Sequence, residues 1–173
     1  MRKTANVIVL SLTITFLAVS GKLADASYQK PKLPIPPPGT VKNVKVIRRM
    51  NVYVTAYYGP RLGQPKYAHG SFKKDVRING AGKETRSGTI PTIGTAAADW
   101  SVLKKGTKFR IIGCDVPLGQ ENPKPLSDII FTVEDTGGGV KGKHVDIFTG
   151  HGEHACKVAS NFDCRKYMIE VVE

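Results

Sequence analysis

The sequence predicts an all-β fold, a small β-barrel with minor helical additions. Three observations point there. Several short runs are rich in β-branched and aromatic residues. The 173 residues include 18 Gly and 11 Pro, which mark many turns and argue against a helix bundle. One segment alone, late in the chain, has a clear helical period. The length allows one domain with an ordinary core. Hydrophobic residues make up 40% and charged residues 23%, a globular rather than disordered balance.

The first 26 residues read as a secretory signal peptide. Arg2 and Lys3 form a positive start, an apolar run extends from about Val7 to Val19, and Gly21 breaks it. Ala24-Asp25-Ala26 then offers a small-x-small cleavage site. A membrane anchor is the rival reading, but the apolar run is short for a span. Residues 27–43 read as a linker, with Pro31, Pro34, Pro36, Pro37 and Pro38 among lysines favouring an extended segment.

The folded domain is expected over residues 44–173. Val44–Ile47 and Val52–Tyr57 are β-rich runs. Residues 59–92 carry Gly, Lys, Arg and Pro with little period and are expected to form a long loop. Within it, 59–84 with Arg61, Lys66, Lys73, Lys74, Arg77 and Lys83 reads either as a partial second wall to a site nearby or as a solvated basic loop. Strand signals return at Gly94–Ala98, Lys108–Ile112, Asp128–Glu134 and Tyr167–Val172. Asp99 is placed to cap one helical turn through Leu103. Cys114–Leu126, with Pro117, Pro123 and Pro125, reads as a connecting loop. Glu153 to about Phe162 is the helix, with Ala155, Val158, Ala159 and Phe162 on one face.

The formal charge is +12, and cleavage after Ala26 leaves +10. Such a balance draws a protein to anionic partners. Export argues against nucleic acid and leaves a membrane surface or a cell-wall polymer. Cys114, Cys156 and Cys164 allow one disulfide and one free thiol, with the pairing open. None sits in a recognisable nucleophile motif.

The densest unusual segment is Glu134–Phe148. Asp135 and Asp146 flank a glycine-rich turn. Asp146 lies between Val145 and Ile147, where a strand is half-buried. Lost hydration and a second carboxylate both raise a carboxyl pKa. A protonated carboxyl is what glycosidic cleavage requires, because the leaving oxygen must receive a proton. Two turn-capping aspartates are the plain alternative. The segment falls short of a phosphate-binding loop, because His144 stands where Ser or Thr is needed after Lys143. His144, Asp146, His151 and His154 together form the donor set of a possible zinc site, although their spacing matches no zinc-protease motif.

Ordered motifs then give a specific resemblance. Thr85-Arg86-Ser87-Gly88, Pro91, Gly94 and the small residues ending at Asp99 resemble the opening of the three-aspartate (3D) domain family. Val102–Thr107 continues it. Glu134-Asp135-Thr136-Gly137-Gly138, Val140-Lys141-Gly142 and Val145-Asp146-Ile147-Phe148 resemble its central signatures. Gly150-His151-Gly152 and Ala155 resemble a G-x-G-x-x-A of the membrane-bound lytic transglycosylase A group, and Val54-Thr55-Ala56-Tyr57 resembles its first strand. The resemblance spans about residues 52–172.

It implies a six-stranded double-psi β-barrel with Asp99, Asp135 and Asp146 as the namesake aspartates. It further implies Asp146 as the catalytic acid toward peptidoglycan glycan strands, tuned by Asp135, with Asp99 the third member of the set. Thr85, Ser87 and Lys141 are the expected substrate-binding or positioning groups, with structural roles in turns the alternative for each. No cofactor and no metal is implied. The expected setting is the periplasm, cell envelope or exterior, with a monomer bearing no integral membrane segment after signal cleavage. Two departures stand out. Tyr58-Gly59-Pro60 replaces the paired cysteines of related wall proteins, and the chain is expected to lack the second domain of the lytic transglycosylases. A non-catalytic, expansin-like peptidoglycan-binding or wall-loosening module is therefore the second reading.

Overall fold

A 14-residue strand, β1 (Val46–Gly59), replaces the two separate runs expected at the start of the domain. The computed structural model describes residues 44–173; the expected signal peptide at 1–26 and linker at 27–43 lie outside the described residues. Arg48, Arg49 and Asn51 break the apolar pattern of β1, yet they stay extended because β8 (Arg165–Val172) pairs antiparallel along them. Hydrogen-bond partners from a neighbouring strand outweigh local composition there.

β2 (Thr95–Ala98), β3 (Lys108–Ile112), β6 (Phe131–Asp135) and β7 (His144–His151) complete a ring of six strands in the order β1-β7-β2-β6-β3-β8. β8 returns to β1, so the barrel is closed and leaves no free edge. Two neighbouring pairs, β1/β7 and β2/β6, are parallel and the other four are antiparallel. Alternate residues of each strand fill the interior, among them Val54, Ala96, Val133 and Ile147, each fully buried. Phe109 and Phe131 stack there with ring centroids 5.6 Å apart.

The expected loop at 114–126 holds a short hairpin, β4 (Pro117–Leu118) with β5 (Lys124–Pro125), followed by a 3-10 turn at Leu126–Asp128. Its Leu118 and Leu126 are buried in the same core. The single turn after Asp99 forms as expected, with the amides of Val102 and Leu103 both 2.9 Å from the Asp99 carbonyl.

The long loop at 59–92 is not structureless. It holds α1 (Phe72–Asn79), with Ser71 Oγ accepting from the Lys74 amide at 3.3 Å. The helix escaped the sequence reading because its buried anchor is Asp75 rather than an apolar face. Asp75 accepts hydrogen bonds from the Tyr58 hydroxyl, the Ala68 amide at 3.0 Å and the His69 amide at 2.8 Å. α2 (Gly152–Ser160) lies where the period placed it and packs Ala155 and Cys156 against Tyr58. The disulfide that the cysteine count allows does not form. Cys114 is buried in the barrel core, Cys156 is buried under α2, Cys164 is exposed, and all three are free thiols.

Candidate active site

The site is a row of side chains running across four adjacent strands. Thr55 of β1 is paired with Asp146 of β7, Asp146 with Ala97 of β2, and Ala97 with Asp135 of β6. Directly opposed residues share a sheet face. Val54, Val145 and Ala96, the residues just before Thr55, Asp146 and Ala97, point into the barrel, so the row faces outward.

Asp135 joins this row through a bulge. Ala96 pairs with Val133, but Ala97 pairs with Asp135, which leaves Glu134 as the extra residue. Strict alternation from Val133 would have turned Asp135 inward. Two strand spacings put the Asp135 and Asp146 backbones roughly 10 Å apart. Ala97, between them, has no side chain to fill the gap.

Above the row lies an open cleft of ≈ 470 Å³ lined by Tyr57, Ala97, Asp135, His144, Asp146 and the turn Gly137–Val140. Its far side is Ile78, Asn79 and Gly80, the C-terminal end of α1. The segment 59–92 thus supplies a wall, but not with the expected cations: Arg61, Lys66, Lys73, Lys74, Arg77 and Lys83 are absent from the lining.

Asp146 is the perturbed acid. Burial pushes its pKa up to about 6, and the nearby Asp135 charge adds to the rise. A hydrogen bond from Thr55 and the charge of His144 act in the opposite direction without cancelling it. Thr55 Oγ1 lies 2.7 Å from Asp146 Oδ1 and 2.9 Å from His144 Nε2. His144 Nδ1 is 3.2 Å from the Gly139 carbonyl. Asp135 Oδ1 accepts from the backbone amides of Arg86 at 2.9 Å and Thr136 at 2.8 Å, which fix its orientation.

Tyr57 also reaches this place. It is 8% exposed, and its hydroxyl has no hydrogen-bond partner. Burial and the charges of Asp135 and Asp146 push its pKa far upward, so it stays a neutral phenol. Its position in the first-strand motif was visible in the sequence, but no spacing rule linked it to residues almost ninety positions away.

The third aspartate has a different post. Asp99 does not line the cleft; its Oδ2 accepts from the Gly142 amide at 2.8 Å and its Oδ1 from the Ser101 amide and hydroxyl at 3.0 and 2.7 Å. These bonds, Gly142 first, hold its pKa down at about 2. Asp99 ties down the end of the glycine-rich turn that forms one cleft wall.

Thr85, Ser87 and Lys141 also stay out of the lining. Thr85 is buried and staples its own turn through Thr89 Oγ1 at 2.8 Å, and the Ser87 amide reaches the Glu134 carbonyl at 3.0 Å. They hold the strand end that carries Asp135. Lys141 is exposed beside Asp99.

The three histidines of the zinc alternative do not converge. His144 and His151 stand at opposite ends of β7, roughly 23 Å apart along an extended strand. His151 and His154 line a separate cleft of ≈ 500 Å³ with Arg61 and Lys157. Among the described residues no group of three or more His, Cys, Asp or Glu side chains is arranged to hold a metal ion.

A closed six-stranded barrel bearing two carboxylates in an outward cleft is the class of molecule defined so far. Residues 94–169 match the family described as the 3D domain. The resemblance carried by the aspartate motifs therefore stands over a stretch that holds β2, β3, β6, β7 and α2.

The chain is also similar to E. coli MltA with bound chitohexaose, at 24% identity over 52% of this chain and 27% of that one, TM-score 0.39. A membrane-bound lytic murein transglycosylase from Agrobacterium tumefaciens is similar at 22% identity over 51% and 25%, TM-score 0.41. The lytic transglycosylase LtgG of Burkholderia pseudomallei is similar at 20% identity over 53% and 26%, TM-score 0.38. The chain spans about a quarter of the length of each. A comparison with curated proteins finds no match.

Proposed function

We propose that the protein is an exported, peptidoglycan-active enzyme that cleaves glycan strands, of lytic-transglycosylase or muramidase type, with Asp146 as general acid. The observation that carries this reading is a carboxyl whose pKa burial raises to about 6, in the lining of an open cleft that a second carboxylate, Asp135, also lines. Asp146 gives its proton to the glycosidic oxygen between N-acetylmuramic acid and N-acetylglucosamine as the C1–O bond breaks. The muramyl 6-hydroxyl closes on C1 and returns its proton to the carboxylate, leaving a 1,6-anhydro end. Water in place of that hydroxyl leaves a reducing end.

In this reading residues 1–26 are removed on export, residues 27–43 tether the domain, and the double-psi barrel works as a monomer in the periplasm, envelope or exterior. The two parallel strand pairs in the ring support that connectivity. No helix among the described residues is long and apolar enough to cross a membrane.

The purified chain should release anhydro or reducing muropeptides from peptidoglycan, read by mass spectrometry. Asp146→Asn should lower release by about 100-fold or more. The acid form is lost as pH rises through about 6, so the rate should fall with pH above that point. Release by Asp146→Asn equal to wild type would sink the cleavage reading.

One observation favours a second reading, a module that binds the wall without cutting it. The neighbouring cleft carries Arg61 and Lys157 against a single carboxylate, Glu153, which pairs with Lys157 at 3.3 Å, so Arg61 is left to meet an anionic polymer. Pull-down on insoluble peptidoglycan should then succeed equally with wild type and Asp146→Asn, and no soluble product should form.

A further inference from the structure

We infer that Thr55 is a positioning residue that couples Asp146 to His144, so that the two side chains hold one shared proton. The inference rests on the reading of Asp146 as the acid and begins at the Gly139 carbonyl. A carbonyl only accepts, so His144 Nδ1, 3.2 Å away, carries a proton toward it. Nε2 is then the acceptor in neutral His144 and a donor only in the imidazolium. It faces Thr55 Oγ1 at 2.9 Å, and that same oxygen faces Asp146 Oδ1 at 2.7 Å. Thr55 has one proton for two neighbours.

Two arrangements satisfy every atom. In the first, protonated Asp146 donates to Thr55 Oγ1, and Thr55 donates to neutral His144 Nε2. In the second, imidazolium Nε2–H donates to Thr55 Oγ1, and Thr55 donates to the Asp146 carboxylate. The two differ by two protons each moved one bond along the chain, so none is gained or lost. Removing the shared proton leaves two acceptors for one hydroxyl proton, and one acceptor goes without.

His144 and Asp146 are both half-buried and both line the cleft. The other titratable groups facing Asp146 are Asp135 of β6, the Tyr57 phenol of β1 and the Cys164 thiol before β8. Glu84 lines the cleft beyond them. None of these four is hydrogen-bonded to the relay.

The test is an NMR titration of the isotope-labelled chain, following the Asp146 carboxyl carbon and the His144 ring nitrogens. Nδ1 should carry the proton of neutral His144, and the two side chains should respond to the same pH steps. Thr55→Val should raise the Asp146 midpoint by roughly half a pH unit and uncouple the two responses. Thr55→Ser should restore both.

A neutral His144 protonated on Nε2, or an Asp146 midpoint unmoved by Thr55→Val, would overturn the relay. If Thr55→Val does not fold, His144→Gln serves instead: loss of the imidazole should also raise the Asp146 midpoint, and an unmoved midpoint has the same meaning. A wild-type chain with the linked titration but no muropeptide release would count against glycan cleavage alone.

Discussion

Asp146 and Tyr57 are two residues whose burial costs the fold stability. The folded pKa of Asp146, about 6, lies above the ordinary aspartate value. The fold therefore binds that proton more tightly than the unfolded chain does. The resulting stability is fully present below the unfolded pKa and is lost as pH rises through about 6. Asp146→Asn does not ionise, so it should be more stable than wild type by about 1–3 kcal/mol near pH 8, with the gap shrinking toward pH 4. Urea unfolding at several pH values checks this. Tyr57 buries a hydroxyl with no partner. Tyr57→Phe removes that cost and should stabilise the fold by about 1 kcal/mol, read as a rise in Tm. Such a gain accompanied by lower muropeptide release would mark the phenol as part of the site.

At the scale of elements, α1 is a wall held by a polar anchor. Burial alone would raise the Asp75 pKa, but hydrogen bonds from Tyr58, His69 and the Ala68 amide outweigh it and hold the carboxylate down. Asp75→Ala leaves those donors unpaired and should cost about 2–4 kcal/mol in chemical denaturation. It should also displace Ile78, Asn79 and Gly80 from the cleft. A variant with lost stability but an unchanged Asp146 titration would show that the wall does not shape the acid's surroundings. The close approach of Gly59 and Gly82 locks the same segment: Gly82 has φ +63, and a Cβ there would lie 2.7 Å from Gly59 Cα. Asp75 sits in a Lys- and Arg-rich stretch that reads as a solvated loop, because periodicity detects apolar faces and not a carboxylate that finds its donors in β1 and the chain at 68–69.

For the whole molecule, closure of the barrel depends on the β1-β8-β3 side. Glu170 of β8 is directly opposed by Arg49 on one side and Arg110 on the other. Arg49 Nε donates to its carboxylate at 2.8 Å and Arg110 Nε at 2.6 Å. Burial would raise the Glu170 pKa, and the two guanidinium groups more than reverse that. A depressed folded pKa gives stability that is present above the unfolded value and lost as pH falls through the folded one. Glu170→Gln should cost about 1–2 kcal/mol at neutral pH, less than for a sealed pair because Arg49 is largely exposed, and the difference should vanish in acid. Thermal unfolding at neutral and acid pH checks it.

The β-rich runs, the late helix, the Asp135/Asp146 pair and its likeness to the three-aspartate motifs were all legible in the residues, because each rests on local pattern. Three things were not. The bulge at Glu134 reverses the side on which Asp135 stands, and one extra residue leaves no trace in a glycine-rich signature. The parting of Asp99 from the other two aspartates depends on a bond to Gly142, 43 positions away. The row from Thr55 to Asp135 exists only because parallel and antiparallel pairing align strands that lie up to 91 positions apart. Sequence specifies which residues alternate and which can ionise. Strand register, set by closure of the ring, decides which of them meet, and burial then decides that Asp146 is the one whose pKa rises.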